Sequence, residues 1–259
     1  MVTLTPKQQL ENLLPYNMIA TRKWLSSKGM SRHAIDNTLK SNKLKPLAVG
    51  VYTRPESPSS WQSVVCSLQL MTDYPIYLGG LSALQQFGLA QYLTSDHTKT
   101  IHLYSENKPP SWLDKIQQET HFKWHRTKTF WEDKLFSTDP FSREIDWHQG
   151  LPALKVSCPE KAFLEMLVDV PKSISFDHAN EIMQGMTSLS PNKLNSLLKG
   201  CKSIKAKRLF LWFAEQQDYA WFRKLDLTDV ELGTGNRVIA KGGKLDKKYL
   251  ITVPRDLYG

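Results

Sequence analysis

Three groups of residues have the types and spacing to do chemistry. Arg32, His33, Asn37 and Lys40 fall within "RHAIDNTLKSN", and asparagine can pair bidentately with adenine as arginine does with guanine. Glu160-Lys161, with Glu165 and Asp169 close behind, supplies the carboxylates and lysine that a metal-dependent nuclease would need. His121 and His125 stand four apart, a spacing that would align two metal ligands on a helix.

The second and third groups weaken once their elements are read. A PD-(D/E)xK nuclease centre needs Glu-x-Lys on a strand with an aspartate upstream. "SCPEKAFLEMLVDVP" is helix-patterned instead. Ser157 and Glu160 have the Ser-x-x-Glu spacing of a capping box around Pro159, and Phe163, Leu164 and Leu167 form the buried stripe. Its carboxylates are expected to be a cap and a solvated surface. "HFKWHRTKTFW" reads as a strand, which sets His121 and His125 about two ladder positions apart with no third ligand at the usual spacing. Gly79-Gly80 in "PIYLGGLSALQQFGL" sits between a strand and a helix, where a phosphate can be cradled. No GxGxxG and no phosphate-loop lysine follows, so close backbone packing is the expected use. Cys66, Cys158 and Cys201 are far apart, and no Ser/His/Asp or Cys/His signature appears. The expectation is a non-enzyme with no catalytic residue, no metal and no cofactor.

The first group is held by elements that suit it. Thr5 and Pro6 open a helix over "KQQLENLL" with Leu10, Leu13 and Leu14 as its stripe. Thr21 caps a second short helix that Gly29 ends, and Ser31 caps a third. On a wheel of the third helix Ile35 and Leu39 face inward with Thr38 beside them. His33, Asn37 and Lys40 face outward, with Arg32 and Asp36 at the edge. "KLKPLAVGVYTRP" then reads as a short hairpin with Lys43 and Lys45 at its base. A helix, a turn with glycine, a second capped helix and a basic hairpin make a winged helix-turn-helix. Its lysines suit phosphate, since a flexible point charge positions without reading sequence.

Charge supports the same placement. The chain of 259 residues carries a net +9. Residues 1–56 hold nine basic against three acidic residues, and residues 201–259 hold twelve against seven. The middle is slightly acidic. Basic ends point to polyanion contacts. In the second basic region Lys202, Lys205, Lys207 and Arg208 crowd the start of "SIKAKRLFLWFAEQQ", where cations oppose the helix dipole. They form a candidate polyanion surface. No apolar run approaches the roughly 20 residues of a membrane span, and the first residues lack a signal-peptide layout. A cytoplasmic protein with no membrane partner is expected.

"PESPSS", Pro55–Ser60, is the expected linker. The fold expected is α/β (α+β): a winged helix-turn-helix over 1–56, then a larger mixed α/β domain over 61–259. In that domain "SWQSVVCSLQLMT" reads as a core helix, "KTIHLYS" as a strand and "SPNKLNSLLKG" as a helix capped by Ser190. "VELGTGNRVIAKGGKLDKKYLITVP" reads as a terminal hairpin with lysines at its tip. A winged-helix-targeted nuclease and a ligand-sensing regulator are the alternatives left open by the residues.

Along the chain "KSNKLKPLAVGVYTRP", "YLGGLSALQQFGLAQYL", "IHLYS" followed by "SWL", "SCPEKAFLEML", "LSPNKLNSLLKGCKSIKAKRLFLWFAE" and "KGGKLDKKYLITVP" occur in that order. In this order the chain resembles the AbiEi antitoxins, the antitoxin and transcriptional regulator of type IV abortive-infection toxin–antitoxin systems. The resemblance implies an N-terminal winged helix that represses its own operon at inverted repeats in promoter DNA, with two protomers on the DNA. It implies a C-terminal domain that counters a nucleotidyltransferase-fold toxin without a stable complex. Carried onto this sequence, the candidate DNA contacts are Arg22, Arg32, His33, Asn37, Lys40, Lys43 and Lys45.

Overall fold

A computed structural model describes residues 6–90, 99–116, 119–132 and 139–257. Thr5, expected as a cap, lies outside the described residues. The chain opens with α1 (Pro6–Leu13), β1 (Ile19–Thr21), α2 (Arg22–Ser27) and α3 (Arg32–Lys40). The wing follows as β2 (Lys45–Ala48) and β3 (Val51–Thr53). These strands form a three-stranded antiparallel sheet in the order β1-β3-β2, with Ala20 opposite Tyr52. The strand β1 was not expected from the sequence. It is only three residues long and too short to show a period.

Next come α4 (Trp61–Met71), β4 (Ile76–Leu78), α5 (Gly80–Gln86), β5 (Lys99–Ser105), β6 (Thr120–Arg126), β7 (Ser142–Ile145) and β8 (Leu154–Ser157). The chain ends with α6 (Pro159–Met166), α7 (Phe176–Gly185), α8 (Pro191–Gly200), α9 (Ile204–Gln217), β9 (Lys244–Asp246) and β10 (Ile251–Val253). A five-stranded sheet has the order β6-β5-β4-β8-β7, with β4 and β8 parallel through Leu78 and Val156. The terminal hairpin pairs β9 with β10, Thr252 opposite Leu245. Among the described residues no helix is long and apolar enough to cross a membrane.

Two compact units emerge from the contacts. The first takes residues 1–77, 95–124 and 144–155, and the second 78–94, 125–143 and 156–259. The first unit therefore continues past Pro55–Ser60. Helix α4 packs on β1, and the Ile19 amide donates to Ser67 Oγ at 2.9 Å. Within the "PESPSS" segment, Ser57 Oγ accepts from the Asn17 amide, and Ser60 caps α4 through the Ser63 amide at 3.2 Å. A polar, proline-bearing stretch can be pinned by its own side-chain oxygens, which composition alone does not reveal.

The second unit is built around α9. Leu209, Phe210, Leu211, Trp212, Phe213 and Ala214 are all buried, as an all-round apolar helix requires. Phe163 of α6 meets Phe210 edge-on at 6.0 Å, and Phe176 of α7 meets Trp212 edge-on at 6.3 Å. Aromatic contacts of this geometry contribute about 0.5–1.5 kcal/mol beyond the area they bury. Helix α5 packs against α6, and α8 and α9 pack on the same helix.

Candidate nucleic-acid interface

The helix-turn-helix is set by two caps and one glycine. Thr21 Oγ1 accepts the Trp24 amide at 3.1 Å to start α2, and Ser31 Oγ accepts the Ala34 amide at 3.1 Å to start α3. Between them Gly29 takes φ 93°, a left-handed conformation that glycine adopts without strain. Ile35 and Thr38 of α3 are buried, and Thr38 Oγ1 donates to the Ile35 carbonyl at 2.7 Å. Leu39 is half-buried. On the other side Arg32, His33, Asn37 and Lys40 are all exposed. The wheel drawn from sequence places these four together, and so does the structure.

The wing joins the same module. The Lys43 amide donates to the Thr38 carbonyl at 2.9 Å, so the chain leaves α3 directly into β2. Lys43 and Lys45 are exposed. At the tip Val49 is 94% exposed beside Gly50 at φ 74°, and the Gly50 carbonyl accepts the Arg22 amide at 2.8 Å.

Arg22 is held differently from the rest of its set. Its Nη1 donates to Asp36 Oδ1 at 2.8 Å and its Nε to Tyr52 Oη at 3.0 Å. That hydrogen bond holds the Asp36 carboxyl below its ordinary range. Arg22 thus ties α2 to α3 and to the wing strand, and offsets the one carboxylate of α3.

The second basic set does not form one surface. Arg208 is 1% exposed and Lys207 3% exposed. Arg208 donates from Nε to the Leu232 carbonyl at 2.7 Å, from Nη1 to Gly235 at 2.7 Å and Leu250 at 3.0 Å, and from Nη2 to Gly233 at 3.0 Å. It fastens the loop 232–235 and the start of β10 to α9. Gly233 and Gly235, at φ 67° and 72°, supply the turns that aim those carbonyls inward. Lys202 Nζ donates to the Lys128 carbonyl at 3.1 Å and Lys205 Nζ to the Val168 carbonyl at 2.9 Å. The expectation of a shared surface is corrected on this point, because a helix this apolar carries even its basic positions inward.

The carboxylates of α6 need a similar correction. Ser157 lies at the end of β8, Cys158 is the cap position, and no side chain caps the helix. Glu160 is 5% exposed and its Oε1 accepts the Ser190 amide at 3.0 Å, at the start of α8. Glu165 is 1% exposed. Its Oε2 accepts the Ser157 hydroxyl at 2.8 Å and the Gly80 amide at 3.1 Å, and its Oε1 accepts Trp131 Nε1 at 3.0 Å. Lys161 Nζ lies 3.9 Å from Oε1. Burial pushes the Glu165 carboxyl up, and Lys161 and the three donors oppose that shift. Burial likewise lowers the Lys161 ammonium. The glycine pair, expected to serve close backbone packing, gives its Gly80 amide to a carboxylate of the same chain. What the sequence presented as cap and surface is an internal joint between β8, α5 and α6. Its partners are up to 85 positions apart, so no local pattern could have shown it.

His121 and His125 both lie on β6, as expected. Cys66, Cys158 and Cys201 are buried free thiols, and burial pushes Cys158 and Cys201 up to about 12. They stay protonated and are poor nucleophiles at neutral pH.

Winged helices commonly bind DNA through the second helix of the turn, and in this chain that helix presents four polar residues outward. Two family models match the chain: "Transcriptional regulator, AbiEi antitoxin N-terminal domain" over residues 5–95, and "Transcriptional regulator, AbiEi antitoxin, Type IV TA system" over 98–254. The chain belongs to the AbiEi antitoxin family, the transcriptional regulators of type IV toxin–antitoxin systems. No curated protein matches it at a significant level. Among solved structures the RV2827C protein from Mycobacterium tuberculosis is similar in fold, with TM-score 0.52 and 15% identity over 90% of this chain and 85% of that one. The junction of the two family models, at 95 to 98, lies well beyond the Pro55–Ser60 segment.

Proposed function

We propose that this antitoxin represses its own operon by placing α3 in the major groove of inverted repeats, one protomer on each half-site. The observation that carries this reading is the division of α3 into a buried face of Ile35 and Thr38 and an exposed face of Arg32, His33, Asn37 and Lys40. Asn37 and Arg32 are the base readers, because their paired donors and acceptors match adenine and guanine edges. Lys40, Lys43 and Lys45 are phosphate contacts that fix the register. Arg22 acts behind them, holding α2, α3 and the wing strand in one geometry. Phosphate charge supplies most of the affinity. For about six phosphates neutralised per dimer, binding falls on the order of a thousandfold between ~50 and ~200 mM salt.

The second half of the proposal rests on the resemblance to AbiEi antitoxins. The larger domain counters a nucleotidyltransferase-fold toxin encoded beside it, without a stable complex, and the protein itself catalyses no reaction. Footprinting on the upstream DNA tests the repressor half. Protection of two repeated half-sites, lost in the Arg32→Ala/Asn37→Ala/Lys40→Ala variant, is expected. Uniform weak protection by both proteins would reject it. Co-expression of that triple variant with the toxin tests the other half. Growth rescue that survives loss of DNA reading separates neutralisation from repression.

A further inference from the structure

The second unit contains a cavity of about 830 Å³ that neither the winged helix nor the buried joint uses. This volume lies within the range of small-molecule sites, about 300–1,000 Å³. Its walls come from four stretches: Pro171 to Phe176, the start of α9 at Lys205, the loop Arg237–Gly243, and Pro254 to Asp256. Five cations line it, Lys172, Lys205, Arg237, Lys241 and Arg255, against the single carboxylate of Asp256. Phe176, Ile239 and Pro254 give it apolar walls, and Val238 is 73% exposed at its edge.

The wall that bears Arg237, Val238 and Lys241 is fixed by its own backbone. The Arg237 amide donates to the Leu250 carbonyl at 2.9 Å, and the Arg237 carbonyl accepts the Thr252 amide at 2.9 Å. The Ile239 amide donates to Thr252 Oγ1 at 2.9 Å, and that hydroxyl donates to the Ala240 carbonyl at 2.9 Å. The Gly242 carbonyl accepts Arg255 Nε at 3.2 Å. Gly243 passes so close to the Val253 carbonyl that a side chain there would clash. These bonds hold the loop's shape, and Arg237 to Gly243 line the cavity.

We propose that this cavity binds a small, multiply phosphorylated molecule with a flat apolar part, of the nucleoside triphosphate class. Cations converging from four segments match three linked phosphates, which no single lysine could satisfy. The apolar walls take a ring that a bare phosphate chain lacks. Nucleic-acid phosphate is the competing source of the same chemistry, and the oligonucleotide in the titration separates the two. The site stands independently of DNA reading by α3.

Calorimetric titration of the full chain with ATP tests it, with adenosine, inorganic triphosphate and a thymidine oligonucleotide as parallel probes. Saturable binding of ATP is expected, weaker by about tenfold or more for adenosine and clearly weaker for inorganic triphosphate. Arg237→Glu and Lys241→Glu should each weaken ATP about tenfold or more with unchanged melting, since both side chains are exposed. Val238→Ser, which removes apolar wall without adding charge, should weaken ATP and leave inorganic triphosphate less affected. Absence of ATP binding at millimolar concentration would overturn the proposal. So would variants that bind like the native chain, or an oligonucleotide that binds more tightly than ATP and displaces it.

Discussion

Charged residues occupy opposite situations in the two units. On α3 the cations and Asn37 stand in solvent, while Arg22 takes up the nearby carboxylate and leaves that face basic. In the second unit Lys161, Glu165 and Arg208 are almost completely enclosed and spend their hydrogen bonds on the chain itself. The lesson is that a charge type says little about role until its partners are known. An exposed polar face can meet a partner outside the chain. An enclosed pair fixes the fold and tolerates no loss.

The largest effect should come from breaking the enclosed pair. Glu165→Ala removes the acceptor of Gly80, Trp131 and Ser157 and the carboxylate partner of Lys161, costing about 3–5 kcal/mol of stability in denaturant melts. Lys161→Met adds a pH signature. The Glu165 pKa is already raised above its ordinary 4.5, so its contribution is fully present below that pH and is lost as pH rises through the folded value. Without Lys161 that loss becomes larger and extends to higher pH, and melts at pH 4.5 and pH 8 should diverge more than in the native chain. Neither change touches the exposed face, so folded protein should keep its DNA preference.

Arg208→Met comes next. It removes the guanidinium donor from the Leu232, Gly233 and Gly235 carbonyls, which water can satisfy in part, and from Leu250, which keeps the Arg237 amide, for a cost of about 1–3 kcal/mol and faster amide exchange in that loop. On the exposed face the effects move from folding to recognition. Lys43→Ala, present in both protomers, should lower the salt dependence of binding by about two phosphates' worth, equally for all DNA. Arg22→Ala should be the mildest for stability, about 0–1 kcal/mol, because its ion pair is solvated. A larger loss of DNA binding than of stability would place Arg22 among the direct contacts.

Much of the exposed region was legible in the sequence. Caps at Thr21 and Ser31, the Gly29 turn and the wheel of α3 are local signals with local causes. Strand β4, the glycine pair, α8 with its Ser190 cap and the terminal hairpin were legible for the same reason. The enclosed joint was not. Ser157 and Glu160 have a capping box's spacing, yet each is drawn to a partner on another element, Glu165 and Ser190. Lys207 and Arg208 looked like surface because lysine and arginine usually are, and only the apolar surround of α9 turns them inward.

The most direct test is the ratio of affinities for the chain's own upstream DNA and a scrambled duplex, measured across a salt series for the native protein and Asn37→Ala. The expected result is a native preference that persists as both affinities fall with salt. Asn37→Ala should lose about 1–3 kcal/mol of that preference per half-site while scrambled DNA binds as before. Equal weakening on both duplexes, or no native preference at all, would contradict it.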